Sequence, residues 1–412
     1  MKVLSLFDGM ACGMLAMQAV GIEVDRYVAF EIDKYATKTS SLNFPMIEHR
    51  GDVSHADFTE FLGFDFVFAG FPCTKFSIAQ KNDRETKPYS GEGWLLFEQA
   101  WRAVCEAKPK YFIFENNKSM ANAVRQEISK IVGFDPDCIN SSLLSGQNRL
   151  RLYWVGKQNS DGTYSKVRVC QPEYQGILVR DILDRVGSND ASDVGEAIAK
   201  VAVPLRIGTY PNGAKNKAHD SQQYRIYSTD GKSVNLCGNG GGMGAKTGLY
   251  AVPCKVGEIG NGGQGNRIYS IDGKSISQTA TSGGIGSNTG LYAIPVEFDG
   301  VIPIKAISGA DEKTFPVHQV EDGVITINGE KCPVKLADGF YIIRKLTVSE
   351  CKRLQTVPEW YVFPVSDSQA YKMLGNGWTV VVIAHLIRAT QANELEDEQL
   401  NLFEGERTTN VF

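Results

Sequence analysis

A chain of 412 residues is long enough to bury a large core and form two domains, and 43 basic against 47 acidic residues leave a net charge of −4. Nothing in it approaches a membrane span, and Asp8 breaks the first apolar stretch, so neither signal peptide nor anchor is expected. Nine cysteines without Cys-x-x-Cys pairs and five histidines without ligand spacing point to reduced thiols, no metal and a cytoplasmic setting.

Val3-Leu4-Ser5-Leu6-Phe7 reads as a strand running into Asp8-Gly9-Met10-Ala11-Cys12-Gly13, with a helical pattern at residues 14–19. Strand, glycine turn and helix open a nucleotide-binding α/β unit, in which Gly9 and Gly13 allow tight turning and close ligand approach. The glycine spacing is not that of a dinucleotide site, which disfavours a pyrophosphate ligand. A second strand, Tyr27-Val28-Ala29-Phe30, ends at Glu31, an acid placed to accept from both ribose hydroxyls. A third stretch ends in Gly51-Asp52-Val53, where Asp52 is placed to accept from an adenine amino group. In this order, glycine loop, ribose acid and adenine acid point to S-adenosylmethionine.

Next come two apolar runs, Phe64-Asp65-Phe66-Val67-Phe68-Ala69 before Gly70-Phe71-Pro72-Cys73, and Tyr111-Phe112-Ile113-Phe114 before Glu115-Asn116-Asn117. Each reads as a buried strand of a parallel sheet, and ligands bind at the carboxyl ends of such strands. The proline presents Cys73 on a rigid turn, and Glu115 on a neighbouring strand can meet the same substrate. Thiol and acid together are the equipment for adding sulfur across a pyrimidine ring. Cys12, Cys105 and Cys351 read as packing residues. Residues 74–93 are polar and charged, which suits a mobile lid or an ordinary surface loop. The alternation of strands and helices closes with Leu152-Tyr153-Trp154-Val155. Short strands, glycine runs and polar turns follow. From about Arg344 helical chemistry resumes, with Thr347-Val348-Ser349-Glu350 as a capping box opening a helix through Leu354.

The middle region contains a duplication. Arg225-Ile226-Tyr227-Ser228 recurs as Arg267-Ile268-Tyr269-Ser270, and Thr247-Gly248-Leu249-Tyr250-Ala251 as Thr289-Gly290-Leu291-Tyr292-Ala293, both at an offset of 42 residues. Two copies are too few for a solenoid. Each carries a glycine cluster, at 238–244 and 283–286, suited to close approach to bases or phosphates, or to β-turn loops.

Phe7-Asp8-Gly9, Glu31, Asp52, Gly70-Phe71-Pro72-Cys73, Glu115-Asn116-Asn117, Gln147-Asn148-Arg149-Leu150-Arg151 and Gln369-Ala370-Tyr371-Lys372-Met373-Leu374-Gly375-Asn376 resemble, in order, the motifs of the DNA (cytosine-5) methyltransferase family. The first motifs also resemble the animal de novo enzymes. Gly263-Gln264-Gly265-Asn266-Arg267 resembles the recognition region of bacterial restriction-modification enzymes. Two positions depart from the family: Glu-Asn-Asn stands for Glu-Asn-Val, and Gly375-Asn376-Gly377-Trp378 for Gly-Asn-Ser. The resemblance implies an α/β fold: a Rossmann-like, S-adenosylmethionine-dependent methyltransferase domain with an inserted β- and loop-rich target recognition domain. The catalytic domain would span 1–157 and 344–392. The recognition domain would span 158–343, with its copies at about 222–252 and 264–294, and an acidic tail would span 393–412.

The implied activity is methyl transfer from S-adenosylmethionine to C5 of a flipped cytosine in duplex DNA through a covalent Cys73 adduct. Sequence-specific modification or phage anti-restriction, in a bacterial or phage-infected cytoplasm, is the implied role. Glu115 would hold N3 of the base, with Arg149 and Arg151 on the ring's oxygen edge and the phosphate. Phe7, Asp8, Gly9, Glu31, Ile32, Asp52, Val53, Leu95, Asn376 and Trp378 would hold the cofactor. Gln264 and Arg267 would read bases, with Arg225 the counterpart of Arg267 in the first copy. The resemblance also favours the lid reading of residues 74–93. A tRNA cytosine methyltransferase shares this catalytic architecture, and a silent DNA-binding regulator is a further alternative. The long duplicated insertion favours duplex DNA, and retention of Cys73, Glu115 and the cofactor acids favours an enzyme.

The charge distribution agrees with a DNA partner. From Glu394 onward six acids face one arginine, leaving the remainder at +1. Arg149, Arg151, Lys166, Arg168, Lys215, Lys217, Arg225 and Lys232 are candidates for a local basic surface. In the tail, Gln399-Leu400-Asn401-Leu402-Phe403 resembles the short peptide by which bacterial DNA enzymes dock on the sliding clamp. Packing against the enzyme or the frayed end of an acidic helix are the alternatives there.

Overall fold

The computed structural model describes residues 1–72, 86–184, 206–209, 225–227, 249–250, 255–259, 266–278, 290–296, 304–308, 311–327 and 329–409. Strands at 206–209, 225–227, 249–250, 304–308 and 311–315, Glu330, and the last helix from residue 395 are described as backbone alone. Cys73, Gln264 and both glycine clusters lie outside the described residues, as does most of the expected lid.

The first part of the chain runs β1 (Lys2–Leu6), α1 (Cys12–Val20), β2 (Arg26–Phe30), α2 (Lys34–Asn43), β3 (Glu48–His49), β4 (Phe66–Ala69), α3 (Glu92–Ala107), β5 (Tyr111–Asn117), α4 (Asn122–Val132), β6 (Asp137–Asn140), β7 (Leu150–Gln158) and β8 (Tyr164–Lys166). Among the described residues these strands form one sheet in the order β3-β2-β1-β4-β5-β7-β6, with β8 added on β7. Strands β1, β2, β4 and β5 pair in parallel, and β7 runs antiparallel to β5 and β6.

The apolar runs explain this arrangement. Every residue of β4 and β5 is buried, as a strand covered on both faces requires. On one face Phe97 and Val104 of α3 and Ile128 of α4 pack on Phe112, Phe114 and Trp154. On the other, Met14 and Met17 of α1 meet Phe68, Ile113 and Val155. Gly21 ends α1 at φ 81°, in the left-handed region that glycine enters without steric cost. Strand β1 stops one residue before the expected Phe7, because Phe7 itself takes φ 56° and turns the chain toward α1. Likewise β4 starts at Phe66 rather than Phe64.

The middle region contains β9 (Arg206–Thr209), β10 (Arg225–Tyr227), β11 (Leu249–Tyr250), β12 (Lys255–Glu258), β13 (Arg267–Ser270), β14 (Leu291–Pro295), β15 (Ile304–Ser308), β16 (Asp311–Phe315), β17 (Val317–Glu321), β18 (Val324–Ile327), β19 (Glu330–Pro333) and β20 (Gly339–Arg344). The duplication extends to strand register. Strand β10 pairs in parallel with β11 (Ile226 with Leu249), and β13 with β14 in the equivalent register (Ile268 with Leu291). Each copy also takes an antiparallel partner on its other side. Arg225 faces Thr209 and Arg267 faces Glu258, and the register shifts at the same step in both. The copies then diverge. Among the described residues, the first sits in a three-stranded sheet, whereas the second is built into a seven-stranded sheet, β12-β13-β14-β20-β17-β18-β19.

After β20 come α5 (Val348–Leu354), α6 (Asp367–Asn376) and α7 (Val380–Thr409). Thr347 and Glu350 form the expected capping box, and α5 ends at Leu354. These helices fold back onto the first sheet: the Tyr361 hydroxyl donates to the Met10 carbonyl at 2.7 Å, and α7 packs along α1. Among the described residues no helix is long and apolar enough to cross a membrane.

The expected domain limits at 157 and 393 both fall within secondary-structure elements. The expected break at 157 falls inside β7, and the chain continues through β8 on the same sheet, with the Tyr164 hydroxyl donating to the Pro109 carbonyl at 2.8 Å. Residues up to 184 remain tied to this body. Asp184 accepts from Arg353 at 2.8 Å and from the Thr347 hydroxyl at 2.8 Å. Lys166 pairs with Asp137 on β6, opposite Gly156. That places it about 17 Å along the strand from Arg151, away from the carboxyl ends of the parallel strands. The acidic segment from 393 is not a separate tail, because helix α7 continues through it to Thr409. Glutamate, leucine and glutamine are good helix formers, and Asn393 and Glu394 are anchored to Arg168 and Lys110. The peptide at 399–403 therefore has a helical backbone here.

Candidate active site

A cleft of about 320 Å³ opens at the carboxyl ends of β1, β2, β4 and β5. The turn after β1 forms its floor. Asp8 sits between Phe7 and Gly9, both at positive φ, and its carboxylate accepts from the Tyr27 hydroxyl at 2.7 Å. Gly13 makes this possible: a Cβ there would lie 2.7 Å from the Phe68 ring and 2.8 Å from the Tyr27 oxygen.

Burial pushes the Asp8 carboxyl up to about 7, and nearby Glu31 adds to the effect against the hydrogen bonds from Ser5 and Tyr27. The unfolded chain would ionise this acid near 4. The protonated fold is therefore favoured at low pH, and its contribution is lost as pH rises toward 7. Asp8→Asn, which keeps an acceptor for Tyr27, should flatten the pH dependence of the cofactor-free protein. In thermal melts wild type should lose more Tm than the variant between pH 5 and pH 8, and parallel curves would refute the assignment.

Glu31, at the end of β2, is clamped by two backbone N–H groups. Gly9 donates to one oxygen at 2.8 Å and Asp33 to the other at 2.7 Å. Each carboxylate oxygen retains a second lone pair, so a fixed Glu31 can still accept from a diol. Asp52 caps the turn at Val53–His55. The Ser54 N–H, at 2.8 Å, holds its carboxyl below the ordinary range. Ile32 is exposed and Val53 buried, and both line the cleft with Phe30 as an apolar slot beside these acids. Leu95 does not join them. It points outward on α3, 58% exposed, and its neighbour Leu96 lines the cleft instead.

At the far end stands Glu115, the fifth residue of β5. One oxygen lies 3.0 Å from Arg151 Nε, and the other accepts from Trp378 Nε1 at 3.0 Å. Next to it, Asn116 donates through Nδ2 to the Phe71 carbonyl at 3.0 Å. That bond ties the Phe71-Pro72 turn, which precedes Cys73 in the sequence, to the end of β5. Arg149 has a different position from that expected. It is 3% exposed and donates to the carbonyls of Gln278, Gly375 and Gly377 at 3.1, 3.1 and 2.9 Å. Its guanidinium thus brackets the segment at Gln278 against the Gly375-Asn376-Gly377-Trp378 turn, while still bordering the cleft.

Several lining residues were not expected. Asp33, the N-cap of α2, accepts from Lys372 of α6 at 2.6 Å, joining two walls of the cleft. Cys12 also borders it, with a thiol pushed up to about 12 by burial, consistent with packing. Asn376 lines the cleft. Of the base-reading candidates, Arg267 is exposed at the start of β13, and Arg225 heads β10, where only backbone is described.

The second repeat is stitched to this body just beyond Arg267. Ser275 N–H donates to Gly146 O at 2.7 Å, Asn148 N–H to Ser275 O at 2.9 Å, and the buried Lys274 ammonium to Ser145 O at 3.0 Å.

The acids, the apolar slot and the cleft volume fit an adenosyl cofactor of S-adenosylmethionine size.

A model of the C-5 cytosine-specific DNA methylase family matches residues 1–392. The orphan methyltransferase M.Rho11sI of Bacillus phage rho11s is 27% identical over 323 residues, covering 63% of this chain and 62% of that protein. M.SPRI of Bacillus phage SPR is 33% identical over 174 residues, or 38% and 37% of the two chains, so both matches span less than two thirds of these phage relatives. M.HhaI of Haemophilus parahaemolyticus is 28% identical over 280 residues, covering 62% of this chain and 80% of that enzyme. The fold resembles that of Entamoeba histolytica EhMeth, with TM-score 0.52 at 15% identity over 94% of this chain and 97% of that one. A match across nearly the whole chain, over motifs that the structure gathers into one cleft, shows that this chain belongs to the C-5 cytosine-specific DNA methylase family.

Proposed function

We propose that this protein is a DNA (cytosine-5) methyltransferase that modifies cytosine within a sequence context in duplex DNA. Sequence-specific modification or anti-restriction would be its role. The observation that carries the reading is the end of β5. Glu115 is held there between Arg151 and Trp378, and Asn116 fixes the turn that precedes Cys73.

Cytosine in a duplex is stacked, so the target base is extruded at a cost of a few kcal/mol. Glu115 holds the N3 edge of the extruded base, oriented by the Arg151 guanidinium. The Cys73 thiolate adds to C6, which makes C5 electron-rich. S-adenosylmethionine, when bound, supplies an electrophilic methyl group. Glu31 and Asp52 hold its ribose and adenine against the slot of Ile32 and Val53. Loss of the C5 proton then expels Cys73 and restores the aromatic ring. Arg149 keeps the Gly375–Trp378 turn and the recognition segment in register with this site. Arg267, with Gln264, reads the major groove, where its fork of donors suits guanine.

Glu31→Ala and Asp52→Ala should each weaken S-adenosylmethionine binding by about 1.5–3 kcal/mol, since each removes an acceptor of charge-assisted hydrogen bonds. Calorimetry showing unchanged affinity for both would mean that the pocket is wrongly assigned.

Transfer of labelled methyl from S-adenosylmethionine to duplex DNA, compared with tRNA, tests the function itself. Duplex DNA should be the strongly preferred acceptor, with bisulfite sequencing showing 5-methylcytosine in one sequence context. Preferential labelling of tRNA, or of neither, would contradict the proposal.

A further inference from the structure

We infer that Trp378 is a positioning residue for the reaction: its indole N–H fixes the Glu115 carboxylate opposite Arg151. This rests on the assignment of Glu115 to the target base. The indole lies edge-on to Phe68, with ring centroids 6.1 Å apart at 75°, and its Nε1 donates to Glu115 at 3.0 Å. Gly70 makes room for it. A Cβ on Gly70 would come within 2.7 Å of Nε1. One on Gly377 would meet the Met373 carbonyl at 3.0 Å and Cys12 Sγ at 3.2 Å.

The serine that the family resemblance implies at 377 would sit tightly against that carbonyl and thiol; glycine stands there instead, and tryptophan follows it. Arg151 alone binds one carboxylate oxygen and leaves the group free to rotate about its last bond. A second donor on the other oxygen removes that freedom, because both oxygens are then held at once. The same ring borders the cofactor cleft, so one side chain shapes the cleft wall and orients the acid.

Trp378→Phe keeps a ring against Phe68 and Gly70 but has no N–H. In the full-length chain, single-turnover methyl transfer to duplex DNA should slow ~10-fold or more, the loss expected for one hydrogen bond to a charged group. Because the phenyl ring still borders the cleft, S-adenosylmethionine affinity should fall far less than the rate, and Tm should stay close to wild type. In a Glu115→Gln background, adding Trp378→Phe should change the rate less than about twofold, because the two residues act as one unit. Gly70→Ala, which pushes the indole away from the other side, should give the same split between rate and affinity.

A Trp378→Phe rate equal to wild type would overturn the inference. So would parallel loss of rate and cofactor affinity, or independent, additive effects of Trp378→Phe and Glu115→Gln. If Glu115→Gln itself retained the wild-type rate, the reading of the site would fail rather than the role of Trp378 alone.

Discussion

Glu350→Ala is expected to destabilise the protein by about 3–5 kcal/mol, the cost of stranding a buried partner charge. Glu350 is fully buried, and its two oxygens receive the Arg344 guanidinium at 2.6 and 2.7 Å. They also accept from the backbone N–H of Thr347 at 2.7 Å and of Asp184 at 2.9 Å. One carboxylate thus joins β20 of the seven-stranded sheet, the start of α5 and the end of the segment at 158–184. Removing it takes from Arg344, 5% exposed, its carboxylate partner, leaving the Lys345 carbonyl as an uncharged acceptor, and strips two N–H donors of theirs. Replacing both charges, as Arg344→Met with Glu350→Met, should cost less than Glu350→Ala, since no ion is then left alone. Urea unfolding measures both. A loss under about 1 kcal/mol for Glu350→Ala would place this cluster at the level of a surface pair.

Cys73→Ala should lower methyl transfer by ~10⁴-fold or more, the scale seen when a covalent nucleophile is removed. Cofactor affinity should remain near wild type, because the proposed pocket uses Glu31 and Asp52 rather than the thiol. Cys73→Ser is the sharper comparison. It keeps the size and a hydroxyl but loses thiolate chemistry, since a serine hydroxyl is scarcely ionised near neutral pH. Single-turnover transfer from labelled S-adenosylmethionine separates the outcomes. Substantial methylation by either variant would remove Cys73 from the chemistry.

Much of the site was legible in the sequence because continuous apolar runs mark buried parallel strands. Such strands deliver Glu31, Glu115 and the turn before Cys73 to one edge of the sheet. The capping box at Thr347 and Glu350 was equally plain, because both partners lie within one turn. What escaped depended on distant or ambiguous neighbours. Trp94-Leu95-Leu96-Phe97 is apolar without a break, so it does not say which leucine faces the cleft, and Leu96 rather than Leu95 does.

An arginine in a motif suggests a ligand, yet Arg149 is held by carbonyls at 278, 375 and 377 that no local pattern reveals. The Asp33–Lys372 pair spans 339 residues. In the duplication, the repeated Arg-Ile-Tyr and Leu-Tyr strands were visible. Their antiparallel partners, Arg206-Ile207-Gly208-Thr209 and Lys255-Val256-Gly257-Glu258, share one glycine and a different offset, so only strand register shows their equivalence. At residue 157 the change in composition is real, and it falls beside the β7–β8 hairpin turn at Asp161-Gly162, which no apolar run announces.

The central claim is covalent catalysis at C6 of cytosine by Cys73 within this cleft. A duplex carrying 5-fluorocytosine in the methylated context, incubated with protein and S-adenosylmethionine, tests it most directly. Fluorine at C5 cannot leave as a proton does, so the adduct should persist after methyl transfer. The account predicts a one-to-one protein–DNA species stable to denaturant, with peptide mapping placing the bond on Cys73. A bond on another residue, or methylated fluorocytosine released with no covalent species formed, would contradict it.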